Sequence, residues 1–341
     1  MKSEDILIYI LIPAYKTEKF IDDCISSILV QDYNNWRAII VDDGSPDNVG
    51  SICDSYAKKN NKIRVIHQKN LGLLAARRTA ISAVLEEDIN NESYVIFLDS
   101  DDKLKENALS TIYYYLKNSQ CDLLIYGYDI VNNGNIVYSS TEEDKVEIDL
   151  RDKHEIFRTA IIDKTYNSLW RKAVKSELLL NDDFSKWYGV QIGEDLIQSL
   201  PLYDKSSYIK VIPNSLYLYL DNFESMTKEI NVDRYIDDLN TKQFTLEYVH
   251  KRKIWKEEDY QDYAFKCLGT LEGWIKQIGE NLENNHDKIK IFERISAHVF
   301  YNKFLAKYIK YDIYLWLFDK KYYGCLLYLF KMRTLVKKLI K

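Results

Sequence analysis

The sequence has few cysteines and no long uninterrupted apolar stretch, and each absence argues against a class of protein. Its five cysteines show no CxxC spacing, which argues against a disulfide framework or a zinc site and favours a reducing cytosol. No apolar run approaches the roughly 20 residues needed to span a bilayer. The opening residues MKSEDILIYILIPAY place acidic side chains before a short apolar run, so they predict a first strand and not a signal peptide.

Two phosphate-binding motifs are also missing. The chain has neither GxGxxG after its first predicted strand nor GxxxxGK[ST], so it lacks the usual dinucleotide and P-loop cradles. Its formal net charge of −5 argues against a general nucleic-acid binder. The charge is uneven, because residues 303–341 carry ten Lys and Arg against two Asp, a local net charge of +8.

The first half of the chain alternates between strand and helix patterns. Apolar runs predict strands at 6–12, 36–41, 63–67, 94–98 and 122–128, and helical stripes predict helices at 20–31, 48–59, 72–87 and 106–118. This alternation indicates a Rossmann-like, mainly parallel sheet flanked by helices. Later segments predict short strands or loops at 135–140 and 145–150, short strands at 207–212 and 215–220, a strand leading into a helix over 168–180, and a helix from Gly193. From residue 231 onward the pattern is helical.

Polar clusters follow three of the predicted strands. They read PAYK at 13–16, DDGSPD at 42–47 and DSDD at 99–102. The carboxyl ends of parallel strands meet at the same edge of a sheet, where ligands bind. We therefore expect the three clusters to lie together.

The DSDD cluster predicts a divalent metal site. Asp99 and Asp101 could face Mg²⁺ or Mn²⁺, hard cations that prefer oxygen ligands. Crowded carboxylates repel one another, so a positive partner is expected, and a bound cation would supply it. The alternative is a solvated turn in which Asp101 or Asp102 caps the next helix.

Three further positions could carry chemistry or be ordinary structure. Asp43 could accept hydrogen bonds from a base or ribose, or belong to a simple Asp-Gly turn with Gly44 at positive φ. Arg77 could meet a diphosphate or the acidic cluster, or be a surface arginine. Asp195, in the sequence GED, could be a general base or simply favour a helix N-terminus.

Taken together, these motifs resemble a known enzyme family. ILIPAYKTEKFIDDCISSILVQDYNNWRAIIVDDGSPDN, NLGLLAARR and FLDSDD resemble the nucleotide-binding half of family 2 glycosyltransferases, which have the GT-A fold. NSLWRKAV, GEDLIQSL and YLYLDNFESMT resemble the acceptor half of the bacterial polysaccharide members. We predict a catalytic domain over 1–228, with a nucleotide-sugar half at 1–130 and an acceptor half at 131–228. A helical C-terminal region with a basic tail would occupy 229–341.

The resemblance implies a role for each matching residue. The residues it assigns to the nucleotide-sugar are Pro13, Ala14, Tyr15, Glu18, Asp43, Arg77, Asp99 and Ser100. Asp101 and Asp99 would bind Mn²⁺ or Mg²⁺ at the diphosphate, Asp195 would be the general base, and Glu194 would support it. Two positions depart from the family pattern, Lys16 and Arg78, where the family usually has Asn.

The implied activity is inverting, metal-dependent hexosyl transfer from a nucleotide-sugar, expected to be UDP-linked, to a hydroxyl of a glycan or lipid-linked saccharide. The resemblance places it in cell-surface polysaccharide synthesis. The QxxRW motif of processive synthases is absent, which favours addition of one sugar or a few. Two alternative functions are a sugar nucleotidyltransferase and a catalytically dead sugar- or lipid-binding module. A nucleotidyltransferase would need a Gly-rich, basic loop after the first strand, and PAYKTEKF is not such a loop. A dead module would not need Asp99, Asp101 and Asp195, and all three are intact.

The basic tail mixes aromatic and aliphatic residues with its positive charges. A basic amphipathic helix can lie on an anionic membrane, so we expect peripheral contact with the inner face of the plasma membrane. The alternatives are a helical cap on the catalytic domain and a face of a homo-oligomer.

Overall fold

Strands and helices alternate through the first third of the chain. The computed structural model describes residues 5–88, 90, 92–140, 146–164, 166–180, 182–220, 232–309 and 312–340. The strands are β1 Ile8–Ala14, β2 Trp36–Asp42, β3 Ile63–His67, β4 Tyr94–Phe97, β5 Lys103–Leu104, β6 Leu123–Asn132, β7 Asn135–Ser139, β8 Ile148–Leu150, β9 Lys172–Lys175 and β10 Ile209–Leu220. The helices are α1 Ile21–Leu29, α2 Val49–Lys59, α3 Leu73–Glu87, α4 Ala108–Ser119, α5 Lys153–Phe157, α6 Glu194–Lys205, α7 Val232–Arg252, α8 Glu257–Asn281, α9 Asn285–Ala297, α10 Val299–Lys303, α11 Ile313–Asp319 and α12 Tyr323–Ile340.

The strands of the described residues form one sheet in the order β3-β2-β1-β4-β9-β6-β10-β5, with β7 on β6 and β8 on β10. The β3-β2-β1-β4 part is parallel throughout. Beyond it, β9 runs antiparallel to both β4 and β6. The α/β fold class is confirmed, with a parallel half that carries the predicted loops and a mixed half beyond β4.

The centre of the parallel half explains its apolar sequence. Every residue of β1 is buried, because helices cover both faces of the strand. Ile8, Ile10 and Ile12 belong to a cluster that includes residues of α1, α2 and α4. The alternate residues face α3, and the Tyr9 hydroxyl reaches Glu87 at the end of that helix.

The mixed half departs from the predicted elements in two places. The predicted strands at 207–212 and 215–220 are one strand, β10, whose pairing with β6 is irregular around residues 211–217. Pro213 lies in that irregular stretch, where a missing N–H is tolerated. Residues 176–179 form a 3₁₀ turn after β9 and not the predicted helix.

Two compact units are distinguished in the chain. The first comprises the described residues up to 156, from 166 to 190 and from 194 to 220, and it contains the sheet. The second comprises 157–164, 191–193 and the helices from α7 onward. The predicted boundary near Lys228 lies outside the described residues. No described helix combines the length and apolarity that a membrane span requires.

Candidate active site

The loops that follow β1, β2 and β4 meet at the carboxyl edge of the sheet, as predicted. The Lys16 backbone N–H donates to Ser45 Oγ over 2.7 Å, which joins the first loop to the second. Thr17 Oγ1 donates to Ser100 Oγ over 3.0 Å, which joins the first loop to the third. The three polar clusters therefore form one surface.

The first loop presents both buried and exposed groups. Pro13 and Ala14 end β1 and are buried, whereas the Tyr15 ring is 41% exposed. Glu18 Oε2 accepts from the Asn48 backbone N–H over 2.9 Å, beside the start of α2. Of these residues, Tyr15 offers the most surface to a ligand.

Asp43 is held by the segment that precedes α3. Its carboxylate accepts from Gln68 Nε2 over 2.6 Å and from the backbone N–H groups of Leu71 and Gly72 over 3.0 and 2.8 Å. The side chain is buried. Asp43 therefore holds the loop after β2 in place. Its carboxylate oxygens can accept further hydrogen bonds, which a nucleotide base could donate.

Two residues in the left-handed region shape the loops. Gly44 has φ of +65°, and a Cβ there would lie 2.7 Å from the Asn70 backbone nitrogen, so the turn requires glycine. Lys16 has φ of +57°, a conformation that asparagine adopts more readily than lysine. The departure from the family pattern at Lys16 thus leaves the turn itself in place.

Asp102 has a structural role that the sequence reasoning did not identify. It is buried, and it accepts from the Tyr217 hydroxyl over 2.7 Å and from the Leu220 backbone N–H over 2.8 Å. Burial, with the nearby Asp101 and Asp99, raises its pKa well above the usual range. The helix-capping alternative is wrong for Asp102, because α4 begins only at Ala108.

Tyr217 is a second residue that sequence reasoning missed. Besides donating to Asp102, its hydroxyl accepts from the Asp99 backbone N–H over 3.2 Å. Its ring stacks on Trp170 with centroids 4.6 Å apart. Tyr217 therefore ties β10 to the acidic loop. The only sequence signal for it was its place in the YLYL motif.

The basic residues of SLWRKAV point into the protein. Arg171 Nε donates to the Tyr126 carbonyl over 3.0 Å. Lys172 is fully buried and donates to the carbonyls of Tyr166 and Ser168. Burial lowers its pKa well below the usual range. These cations satisfy interior carbonyl groups.

A buried arginine connects the acidic loop to the GED motif. Arg77 is 1% exposed, its Nη2 lies 2.9 Å from Asp99 Oδ1, and its Nη1 lies 2.5 Å from Asp195 Oδ1. The surface-arginine alternative is therefore wrong, and the alternative in which Arg77 meets the acidic cluster is confirmed. A positive partner of Asp99 is thus part of the chain itself.

The pKa shifts follow from this arrangement. Burial raises the pKa of Asp99, and Asp195 adds to that effect while Arg77 opposes it. Burial lowers the pKa of Arg77, but the charges of Asp195, Asp99 and Glu194 outweigh it and raise that pKa. Burial, followed by the charge of Asp195, raises the pKa of Glu194 to about 7. Glu194 and Asp195 form the first turn of α6, where acidic side chains favour the helix dipole.

The acidic loop fits a divalent cation whose remaining ligands come from a substrate. Among the described residues no group of three His, Cys, Asp or Glu is arranged as a metal cage. Mg²⁺ sites often use one or two carboxylates and complete their shell with phosphate oxygens. Asp101 is half-buried, and Asp99 Oδ2 is the carboxylate oxygen that Arg77 does not contact. Asp102 is committed to β10 and does not fit this role.

Comparison with known proteins identifies the family. The model for glycosyl transferase family 2 matches residues 9–179. Glycosyltransferase GlyG of Streptococcus pneumoniae is 30% identical over 296 residues, covering 76% of this chain and 94% of GlyG. The chain belongs to glycosyl transferase family 2. It is therefore a glycosyltransferase, and the resemblance inferred from the motifs is confirmed.

A second relative and a solved structure are also similar to this glycosyltransferase. Poly(ribitol-phosphate) beta-glucosyltransferase of Bacillus spizizenii is 28% identical over 217 residues, which cover 62% of this chain and 32% of that protein. The crystal structure of S. aureus TarS 1–349 with UDP-GlcNAc superposes with a TM-score of 0.63 at 19% identity, covering 94% of this chain and 90% of TarS. That likeness confirms the GT-A fold.

Arg78, the second departure from the family pattern, lies beside the site in this glycosyltransferase. Its guanidinium lies 5.5 Å from the centroid of the Phe184 ring. Arg78 neighbours Arg77 on α3 yet takes no part in the Asp99 and Asp195 contacts. The two adjacent arginines therefore have different surroundings.

Proposed function

We propose that this glycosyltransferase is an inverting, metal-dependent hexosyltransferase. It moves one sugar, or a few, from a UDP-sugar to a hydroxyl group of a glycan or lipid-linked saccharide. The observation that carries the proposal is the pair of contacts made by Arg77. These contacts bring Asp195, the expected base, beside Asp99 on the loop expected to hold the donor.

The reaction is a single displacement at the anomeric carbon. The acceptor oxygen forms a bond to that carbon as the bond to the diphosphate oxygen breaks, and the electron pair leaves with the nucleoside diphosphate. The acceptor proton passes to Asp195 Oδ2, to which no donor is assigned among the described residues. General-base assistance of this kind typically contributes about 10²–10⁴ in rate. Attack opposite the leaving group inverts the anomeric configuration.

The remaining site residues have donor-binding roles in this proposal. Tyr15 and Asp43 contact the nucleotide base. The ribose pocket is shaped by Pro13, Ala14 and Glu18. Asp99 and Ser100 face the diphosphate sugar. Mn²⁺ or Mg²⁺, held by Asp101 and Asp99, would neutralise charge on the departing diphosphate. Glu194 supports the base from the first turn of α6.

The relatives support the choice of donor and acceptor. TarS has been crystallised with UDP-GlcNAc and with UDP, which supports a UDP-sugar. The Bacillus spizizenii relative is named for poly(ribitol-phosphate), which supports a polymer acceptor. We propose that the enzyme acts in cell-surface polysaccharide synthesis, in the cytoplasm at the inner face of the plasma membrane.

A nucleotide-sugar panel tests the proposal. Release of nucleoside diphosphate is measured for UDP-, GDP- and dTDP-sugars, with Mn²⁺, with Mg²⁺ and with EDTA, in the presence of saccharide acceptors. We expect turnover with a UDP-sugar that EDTA abolishes, and loss of transfer by about 10²-fold or more in Asp195→Asn. Asp32→Asn, an exposed aspartate outside the three loops, is the control.

Other outcomes favour the alternatives. Binding of UDP-sugars without turnover would favour a catalytically dead binding module. Release of pyrophosphate from a nucleoside triphosphate and a sugar phosphate would favour a nucleotidyltransferase. Retention of anomeric configuration in the product would contradict the single displacement.

We also propose that the C-terminal helices contact an anionic membrane. Ile313 and Trp316 on α11, Tyr322 before α12, and Tyr328 and Met332 on α12 are between 42% and 62% exposed, and we call them the aromatic patch. The Trp316 and Tyr322 rings meet with centroids 5.9 Å apart. Exposed Lys320, Lys321 and Lys331 accompany the patch. Aromatic groups beside lysines suit the headgroup region of an anionic bilayer.

A further inference from the structure

Arg77 combines a charge with nearly complete burial. It lies in the second turn of α3, is 1% exposed, and makes its polar contacts with Asp195 and Asp99. Its Nε has no hydrogen-bond partner among the residues that the structure describes. A buried charge is tolerated only where it is paired, and here it is paired twice.

This geometry disfavours direct contact between Arg77 and the donor. Each terminal nitrogen is engaged by a protein carboxylate, and the side chain has almost no surface left for a ligand. The two carboxylates come from different elements, the loop after β4 and the first turn of α6. A planar guanidinium with donors in fixed directions can orient both, which the single ammonium of lysine cannot.

We infer that Arg77 is a positioning residue that fixes the Asp195 carboxylate relative to Asp99. By holding Asp195 Oδ1, the guanidinium sets the plane of the carboxylate and directs Oδ2 towards the acceptor hydroxyl. By holding Asp99 Oδ1 at the same time, the guanidinium links the general base to the loop after β4, which contacts the donor in the proposed function. The inference rests on the proposed function, in which Asp195 is the base.

Arg77→Lys tests this role, because it keeps the charge and removes the fork. We expect kcat for transfer to fall about 10²-fold, the size of effect produced by a small misplacement of a catalytic group. We expect the donor KM and the affinity for UDP with Mg²⁺ to change less than about threefold. Arg78→Lys, the same substitution on the next residue of α3, is the matched control and should leave kcat nearly unchanged.

A double-mutant comparison separates a positioning role from direct donor contact. If Arg77 acts through Asp195, Arg77→Lys should cost little further activity in an Asp195→Asn background, since coupled residues are not additive. An undiminished further loss would overturn the inference. So would a weakening of UDP binding by tenfold or more with kcat unchanged. If Asp195→Asn and the parent enzyme transferred sugar at equal rates, the proposed function would instead be contradicted.

A second measurement does not depend on the folding of an Arg77 variant. In the parent enzyme with ¹⁵N-labelled arginine, the Arg77 Nη signals should shift on Asp195→Asn and remain in place when UDP and Mg²⁺ are added. Through-bond and nuclear Overhauser correlations to neighbouring residues of α3 assign the signals within the parent enzyme. Signals that respond to UDP and not to Asp195→Asn would show donor contact and overturn the inference.

Discussion

At the residue scale, three carboxylates at the acidic edge of the sheet, two of them buried and Asp99 partly exposed, each have a partner within the chain. Asp43 is held by the segment before α3, Asp99 by Arg77, and Asp102 by Tyr217. Removing a partner would leave a buried charge uncompensated, which costs more than the contact itself contributes.

The raised pKa of Glu194 predicts a pH-dependent stability. Because burial and Asp195 raise its pKa to about 7 in the folded state, the folded protein favours the protonated side chain. This contribution is fully present below the ordinary glutamate pKa and is lost as the pH rises through about 7. We therefore expect the free energy of unfolding in urea to be higher for Glu194→Gln than for the parent at pH 8, by on the order of 1 kcal/mol, and the two values to converge at pH 4.

Urea unfolding at several pH values measures the effect. Glu283→Gln, at an exposed position, should follow the parent curve throughout. If the free energies of unfolding of the parent and Glu194→Gln differed equally at pH 4 and pH 8, Glu194 would not titrate in this range.

Sequence patterns located these residues and offered a contact between Arg77 and the acidic cluster as one alternative, but they did not predict the other pairings. The strand ends predicted that the polar clusters would meet, because parallel strands share a carboxyl edge. The link from Arg77 to Asp195 joins residues 118 positions apart and follows no local periodicity. The hydroxyl of Tyr217 gave no signal either, because an alternating YLYL segment reads only as a strand.

At the element scale, the parallel half of the sheet was predictable and the mixed half was less so. β1 and β4 are buried throughout and read as continuous apolar runs, whereas the runs of β2 and β3 are interrupted by the exposed Arg37 and Arg64; all four remain legible in the sequence. β9 enters between β4 and β6 through a pairing set by tertiary contacts. β10 contains Pro213, which interrupts the strand pattern but is accommodated where the β6 pairing is irregular.

The packing of α12 on α8 makes a prediction about one glycine. A Cβ at Gly279 would overlap the Phe330 ring, whereas a Cβ at Gly269 on the same helix would meet nothing within 4 Å. Gly279→Ala should therefore destabilise the protein by about 1–3 kcal/mol through overpacking. Gly269→Ala should stabilise it by roughly 0.5–1 kcal/mol, because alanine favours the helix.

Thermal unfolding of the two variants distinguishes the effects. The opposite signs arise from the same chemical change on the same helix. If Gly279→Ala proved as stable as Gly269→Ala, the close approach of Phe330 to α8 would be wrong.

At the scale of the whole molecule, net positive charge and exposed aromatic groups are concentrated towards the C-terminus. Residues 303–341 carry a net charge of +8 in a chain whose total is −5. The same region supplies buried groups such as Phe318 and Tyr323, so removing it would disturb the helical core. Substitutions confined to the aromatic patch are therefore the better test of membrane contact.

The proposed membrane contact predicts a selective loss of vesicle binding. Trp316→Ser with Tyr328→Ser removes two exposed rings of the aromatic patch, and we expect binding to phosphatidylglycerol vesicles to weaken about tenfold. Neutral phosphatidylcholine vesicles should bind weakly in every case. Tyr114→Ser, at a tyrosine 61% exposed on α4, is the control. Equal cosedimentation of all three proteins with anionic vesicles would contradict the contact.

The most direct test of the central claim is calorimetric titration of UDP in the presence of Mn²⁺. Asp101→Asn should lose the Mn²⁺-dependent part of UDP binding, by about tenfold or more, because a carboxylate ligand is replaced by a neutral amide. Asp195→Asn should bind UDP as the parent does, since the base serves the acceptor. UDP affinity in Asp101→Asn that equals the parent's, with and without Mn²⁺, would contradict a donor site at this edge of the sheet.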